Sequence, residues 1–285
     1  MLLSLLPYLL GGLALTLLIG PLVSYWRDRK GLRSFPSPSF AGFSSIWRIW
    51  HNLHHNHYWA VHMAHKKFGT HVRIAPNHVS IVDPQASYDI YGHGANMMKE
   101  GFYDAAAGAH RNLTDARDKY EHQRKRKMLA HVFAQKTIVG LEPVLLEVLD
   151  TFVAAVDAHV QSGESMNIRL YFNYFTIDLL GMILFSKRMG CVTRGNDLVD
   201  AETKEGVVYK TPFLKSLLNS FVLNIPLAME PSILPITKLL SRPLPHFKDG
   251  ENYENIIYHH TKQRLQKGTS KNDIFTRLLQ DSKGN

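Results

Sequence analysis

The run AHKKFGTHVRIAPNHVSIVDPQASYDIYGHG at residues 64–94, with EGFYDA at 100–105 and DARDKYEHQRKRKMLAHVF at 115–133, decides the reading of this chain. HVRIAP and HVSIV alternate in the strand manner about Pro76 and Asn77, which predicts a hairpin. Asp83 followed by Pro84 predicts a capped short helix over PQASYDIYG, with the proline at its first position. Residues 92–118, rich in Gly, Ala and Asn, predict a long loop. Residues 119–133 predict a strongly basic helix. Working outward, Ile46, Trp50, Leu53, Trp59, Val61 and Phe68 recur at helical spacing and predict one helix over 45–68, ended by Gly69. Downstream, an amphipathic helix is expected over 138–162 and an apolar one over about 168–185. The remainder reads as helix broken at Pro212, Pro226, Pro231, Pro235, Pro243 and Pro245. The fold class is mostly α with a small β-sheet near the start, an α+β body without internal repeats.

Residues 1–26, MLLSLLPYLLGGLALTLLIGPLVSYW, contain no charged side chain. As a helix they would extend roughly 35–39 Å, enough to cross a ~30 Å hydrocarbon core. Arg27, Arg29, Lys30 and Arg33 follow, and the positive-inside rule keeps them cytoplasmic. A cleaved signal peptide would begin with basic residues and carry a shorter apolar run. The expected organisation is a transmembrane anchor at 1–26, a basic, proline-containing hinge at 27–44 around Pro36 and Pro38, and a cytosolic body at 45–285. The formal net charge of +9 favours acidic partners such as anionic lipid or an acidic protein. Nucleic acid is not expected, because the basic helix lacks the interleaved aromatics of single-strand binders and the anchor puts it at a membrane. The single cysteine, Cys191, rules out an intramolecular disulfide framework.

The 66–133 run resembles the fungal microsomal cytochromes P-450, and most of all their benzoate para-hydroxylase branch. The order of anchor, proline hinge, long helix, VRIAP hairpin, short helix, long loop and basic helix agrees with that family. The resemblance implies a partial cytochrome P-450 fold behind a transmembrane helix, because the chain stops where the family's central oxygen-binding helix would begin. It also implies a single-pass protein of the endoplasmic reticulum membrane with its body in the cytosol. Full-length relatives would bind heme, draw electrons from NADPH through a reductase, and hydroxylate a small aromatic acid such as benzoate.

His122 and Arg126 lie four residues apart and so share one face of the basic helix. A guanidinium grips a carboxylate with two charged hydrogen bonds, and an imidazole adds a third donor. The resemblance implies that this pair holds a heme propionate, that Lys125 and Lys127 point elsewhere, and that the outer basic surface meets the reductase. On residues alone the same run also reads as a solvated face. The resemblance further implies that the 92–118 loop lines the substrate pocket, with Phe102 and Tyr103 as contacts; inward packing of the two rings is the alternative. Glu121 and Arg124 match an E-x-x-R pattern by chance, since that motif belongs to a later helix.

No catalytic residue is expected within the chain. Cys191 stands in FSKRMGCVTRG, where Lys187, Met189 and Thr193 depart from the family's F-x-x-G-x-R-x-C-x-G thiolate motif, so it reads as a packing residue or free thiol. His51, His54, His55, His57, His62 and His65 have metal-compatible spacings but no acidic residue among them, and no dedicated metal site is expected. Tyr171, Phe172, Tyr174 and Phe175 read as core. Asn112-Leu113-Thr114 is a glycosylation sequon that a cytosolic body would leave unused. Two functions remain open. One is a truncated heme-dependent monooxygenase, inactive by itself. The other is a catalytically inactive, membrane-anchored binding or regulatory remnant. A heme spectrum separates them.

Overall fold

The computed structural model describes residues 19, 22, 23, 25–107, 111–229, 243–267 and 274–281. The expected membrane segment at 1–26 lies almost wholly outside the described residues, as do Pro231 and Pro235. The chain divides into two compact units, one of residues 1–106 and 225–235, the other of 107–224 and 236–285.

The first unit opens with helices α1 (Ile46–Leu53) and α2 (His57–Phe68), strands β1 (His71–Ala75) and β2 (His78–Ile81), then α3 (Pro84–Tyr91) and α4 (Phe102–Ala106). The expected single helix over 45–68 is two. Its break falls in the polar run 54–56, where side chains compete for the backbone. His54 Nδ1 donates to the Trp50 carbonyl at 2.8 Å and His51 Nδ1 to Asn56 Oδ1 at 2.7 Å. His55 then takes a left-handed φ of 55°. Gly69, at φ 94°, ends α2 as expected.

The hairpin forms as read, with His71 opposite Ile81, Arg73 opposite Val79, and an irregularity before Ala75. Its alternation does not translate into one buried face: Val72, Arg73, Ile74 and Ala75 are all buried. Val72 and Ile74 join Ala41, Trp47 and Ala64 in the core, while the Arg73 N–H donates to the Pro36 carbonyl at 2.8 Å. Asp83 caps α3 by accepting from Gln85 N at 2.9 Å. The 92–118 segment is not all loop, since Phe102–Ala106 form a short helix.

Arg48 is a buried charge in this unit. Its Nη1 donates to His78 Nδ1 at 2.6 Å and lies 3.5 Å from Glu100, and its Nη2 donates to the Met229 carbonyl. Burial and the Arg48 charge hold His78 below the usual imidazole value against the opposing pull of Glu100.

The second unit contains α5 (Lys119–Ala130), α6 (Gln135–Val139), α7 (Glu142–Ser162), α8 (Ile168–Phe185), α9 (Cys191–Arg194), strands β3 (Leu198–Glu202) and β4 (Val208–Pro212), all but residues 225–228 of α10 (Phe213–Ala228), and helices α11 (Pro245–Lys267) and α12 (Ile274–Asp281). The amphipathic helix expected from 138 starts at Glu142, because Gly140 separates it from the short α6. Pro226 does not break α10 at that position; the helix runs on for two residues and ends at Ala228.

A second hairpin, β3–β4, was not expected. Its register runs from Leu198 opposite Pro212 to Glu202 opposite Val208, and Gly206 supplies a φ of 89° in the turn. The core joins Phe152 of α7, Tyr174 and Ile177 of α8, Cys191 and Val192 of α9, Val199 and Ala201 of β3, and Ile256 of α11. Glu202 fastens β3 to α11 through His259 Nδ1 at 2.9 Å and Lys262 Nζ. Among the described residues α8 alone is long and apolar enough to cross a membrane. Its Tyr174 and Ile177 nonetheless sit in the core, and its Asp178 carboxylate binds backbone N–H groups of α9.

Candidate functional site

Helix α5 begins at Asp118, whose carboxylate accepts from Glu121 N at 2.7 Å. One turn in, Glu121 pairs with Lys125 at 2.8 Å, and Lys125 also donates to the Arg111 carbonyl. The Lys125 ammonium holds the Glu121 carboxyl below its ordinary value. Glu121 therefore does not pair with Arg124, whose Nη1 lies 3.6 Å from Met128 Sδ.

His122 and Arg126 fall on the neighbouring face. His122 is half-buried and Arg126 exposed. Neither side chain has a hydrogen-bond or ion-pair partner among the described residues, in contrast to Lys125. A helix face carrying two uncommitted donors one turn apart has the chemistry to receive a carboxylate. Their donor types and spacing fit a heme propionate. These two belong to the second unit, and Phe102 and Tyr103 to the first.

Phe102 and Tyr103 sit on α4, half-buried, with ring centroids 5.4 Å apart at 80°. Lys99 Nζ lies 5.3 Å from the Tyr103 ring. Edge-to-face pairing of this kind stabilises a short aromatic cluster whether or not a ligand is present.

Cys191 is fully buried, and burial, reinforced by the Asp178 carboxylate, pushes its thiol up to about 12. Its N–H donates to Asp178 Oδ1 at 2.8 Å. A thiol so placed is a packing group and not an available ligand. Among the described residues no three His, Cys, Asp or Glu side chains converge on a metal position. His65, for one, is engaged by the Gly69 carbonyl and Ser80 Oγ, each at 2.8 Å.

Two further polar features went unread in the sequence. Arg48 is buried in what looks like an amphipathic helix, and Arg73 is buried in a strand that looks half-exposed. The available signal was positional: each is a lone charge flanked on both sides by apolar residues, Ile46-Trp47-Arg48-Ile49-Trp50 and Val72-Arg73-Ile74.

Comparison with known proteins agrees with this architecture. The cytochrome P-450 family model matches residues 40–285. Benzoate 4-monooxygenase bphA of Aspergillus niger is 30% identical over 289 residues, covering 96% of this chain and 56% of that protein. Cytochrome P-450 monooxygenase ORF11 of Penicillium roqueforti is 25% identical over 281 residues, covering 94% of this chain and 55% of that protein. Monooxygenase BOA3 of Botryotinia fuckeliana is 25% identical over 252 residues, with 85% and 46% covered. The chain thus spans about half the length of the curated relatives it matches. With the family model covering everything from the start of the first unit's core to the last residue, the chain belongs to the cytochrome P-450 family.

Proposed function

We propose that this chain is the amino-terminal part of a heme-thiolate monooxygenase that hydroxylates a small aromatic acid such as benzoate. The family's cofactor is heme, which supplies the oxygen chemistry. The observation that carries the reading is the uncommitted pair His122 and Arg126 on α5, in a chain similar to a benzoate 4-monooxygenase along 96% of its length. In this reading Arg126 grips a propionate with two charged hydrogen bonds and His122 adds a third. Phe102 and Tyr103 offer flat apolar faces to an aromatic ring. The exposed basic residues of α5 meet an acidic reductase that delivers electrons from NADPH. The uncharged 1–26 run anchors the protein in the endoplasmic reticulum membrane with the body in the cytosol.

Cys191 favours a second reading for the 285 residues taken alone. Its thiol is buried and held near 12, so an axial thiolate would have to come from residues outside this chain. By themselves these residues would act as an inactive, membrane-anchored binding or regulatory remnant. The test is spectral. The chain is purified with heme, reduced, and exposed to carbon monoxide; a Soret band typical of thiolate ligation, with NADPH-dependent hydroxylation when reductase is added, would overturn inactivity of the chain alone. For the whole enzyme, the transcript beyond the Asn285 codon should encode F-x-x-G-x-R-x-C-x-G, and its product should show a substrate-induced spectral shift with benzoate. No shift across a panel of aromatic acids would remove the substrate assignment.

A further inference from the structure

A cavity of about 450 Å³ in the first unit lies between the residues that follow the uncharged amino-terminal run and the β1–β2 turn. Its lining includes Arg27, Asp28, Arg29, Lys30, Arg73 and Asn77. Arg27, Arg29 and Lys30 are exposed, whereas Arg73 is only 4% exposed.

Arg73 is the unusual member. A buried guanidinium costs several kcal/mol in desolvation unless a carboxylate or comparable anion compensates it. Among the described residues no carboxylate lies within ion-pair distance of Arg73. Its Nη2 donates to the Pro76 carbonyl at 2.7 Å and its guanidinium carbon lies 5.3 Å from the Tyr25 ring centre. Those contacts hold the group in place, yet Nε has no hydrogen-bond partner among the described residues. A neutral carbonyl and a ring face do not balance a full charge.

Among the described residues Asp28 is the one carboxylate in the lining, and it is already taken. Its Oδ1 accepts from Leu32 N at 2.8 Å and its Oδ2 from Arg33 N at 3.2 Å, with Arg33 Nε at 3.4 Å. Burial pushes this carboxyl up, but the Arg33 and Leu32 N–H groups and the Arg33 guanidinium outweigh it and hold the carboxyl below its ordinary value. The Asp28 charge is thus met by Arg33, outside the cavity lining. Four cations, Arg27, Arg29, Lys30 and Arg73, remain around one concavity.

We propose that this cavity is a binding site for a terminal phosphate group, carried as a monoester or as the free ion. Phosphate presents three strong acceptor oxygens and more charge than a carboxylate, which suits a mixed set of forked guanidiniums and one point-like ammonium. Arg73 at the base fixes the anion; Arg27, Arg29 and Lys30 at the rim close round it, and Asn77 adds an amide donor. Two sources share this chemistry: a phosphorylated lipid headgroup and a free phosphate. The lipid source rests on the membrane reading given above, since Arg27 would then stand at headgroup level directly after the apolar run. The chemistry of the cavity stands without it.

The test uses the full chain in neutral detergent micelles and isothermal calorimetry. The probes are dioctanoyl phosphatidylinositol 4-phosphate, dioctanoyl phosphatidylcholine and inorganic phosphate. The expected result is binding of the phosphoinositide, weakened at least tenfold by Arg73→Gln and by the double substitution Arg29→Gln/Lys30→Gln, and unchanged by Lys67→Gln, an exposed cation outside the cavity. The rim double variant decides the matter if Arg73→Gln fails to fold. Inorganic phosphate binding as tightly as the phosphoinositide would make solution phosphate the source and leave the site intact. Equal binding of phosphatidylcholine, no binding of any probe, or equal weakening by Lys67→Gln would each overturn the site. Heme retention is not part of the readout, so these outcomes are independent of the monooxygenase reading.

Discussion

The Asp178 carboxylate accepts from the backbone N–H of Cys191 at 2.8 Å with one oxygen and from that of Val192 at 2.9 Å with the other. A side chain in the middle of α8 thereby caps the start of α9, thirteen residues on. All three residues are buried. Asp178→Ala would strand two buried donors, which costs about 2–4 kcal/mol. Asp178→Asn keeps one acceptor and should lose about half as much. Urea unfolding of the chain in detergent, followed by circular dichroism, measures both; a loss below about 1 kcal/mol for the alanine variant would contradict this role.

Cys191 should be chemically silent in the folded chain. With the thiol near 12, thiolate is scarce at pH 8, and burial removes access as well. A thiol-reactive dye should label nothing in the native protein and one site after denaturation. Rapid native labelling would mean that the 186–195 segment opens readily.

His260 makes the second unit acid-sensitive. It is 2% exposed, and burial, then the Lys187 and His259 charges, lower its pKa to about 4 against the opposing pull of Asp200. In the unfolded chain it titrates near the ordinary imidazole value of 6.5. Between those values the unfolded state binds more protons than the folded one, so stability rises with pH across that window and is level above it. The loss on acidification from pH 7 to pH 4 is about 3 kcal/mol from this group. His260→Leu should flatten the slope between pH 6.5 and 4. Melting midpoints at several pH values check it, and an unchanged slope would remove the assignment. Glu202 acts at lower pH. Its bonds from Lys262 and His259 hold its carboxyl below the ordinary value, so its contribution is complete above that value and fades as pH falls through the lowered one.

In the heme enzyme proposed above, Arg126→Ala and His122→Ala should release heme more readily than Lys127→Ala. One charge-assisted bond is worth about 1.5–3 kcal/mol, or roughly ten- to a hundredfold in heme affinity. Heme transfer to apomyoglobin measures the difference. Equal retention by the Arg126 and Lys127 variants would count against the propionate assignment.

Asn112 reports topology. It is exposed, and its side-chain oxygen accepts from Thr114 N at 2.7 Å and Asp115 N at 3.1 Å. A body in the cytosol leaves it bare. Expression with microsomes should give no endoglycosidase-sensitive mass shift, whereas sugar at Asn112 would reverse the orientation.

The parts of the fold written in local chemistry were legible. Asp83-Pro84, Gly69, the turn at Pro76-Asn77 and the long apolar helix over 168–185 all follow from the residues at those positions. The features that escaped depend on distant partners. The β3–β4 hairpin leaves Leu198, Val207 and Val208 exposed and is fastened to α11 through Glu202 with His259 and Lys262. The α1–α2 break arises from histidine and asparagine side chains, whose spacing by itself suits a continuous helix. Arg73 looked like the polar side of a strand because the Pro36 segment and Tyr25, which cover it, precede it by tens of residues. Among the site residues, the shared face of His122 and Arg126 was readable from spacing alone. That they remain uncommitted while Lys125 is engaged depends on Glu121 and the Arg111 carbonyl, and became visible only in three dimensions.

Arg48 sets a timetable for synthesis. Its guanidinium is buried in the first unit and donates from Nη2 to the carbonyl of Met229, 181 residues further along the chain. At roughly 5–20 residues per second, a ribosome needs on the order of 10–35 s to travel that distance, and longer to clear Met229 from the exit tunnel. During this interval the nascent first unit holds a charged group without its last acceptor, and the intervening unit can already be condensing. The first part to be made is therefore among the last to be finished, and a stall or cleavage between 107 and 224 would leave it permanently unsealed.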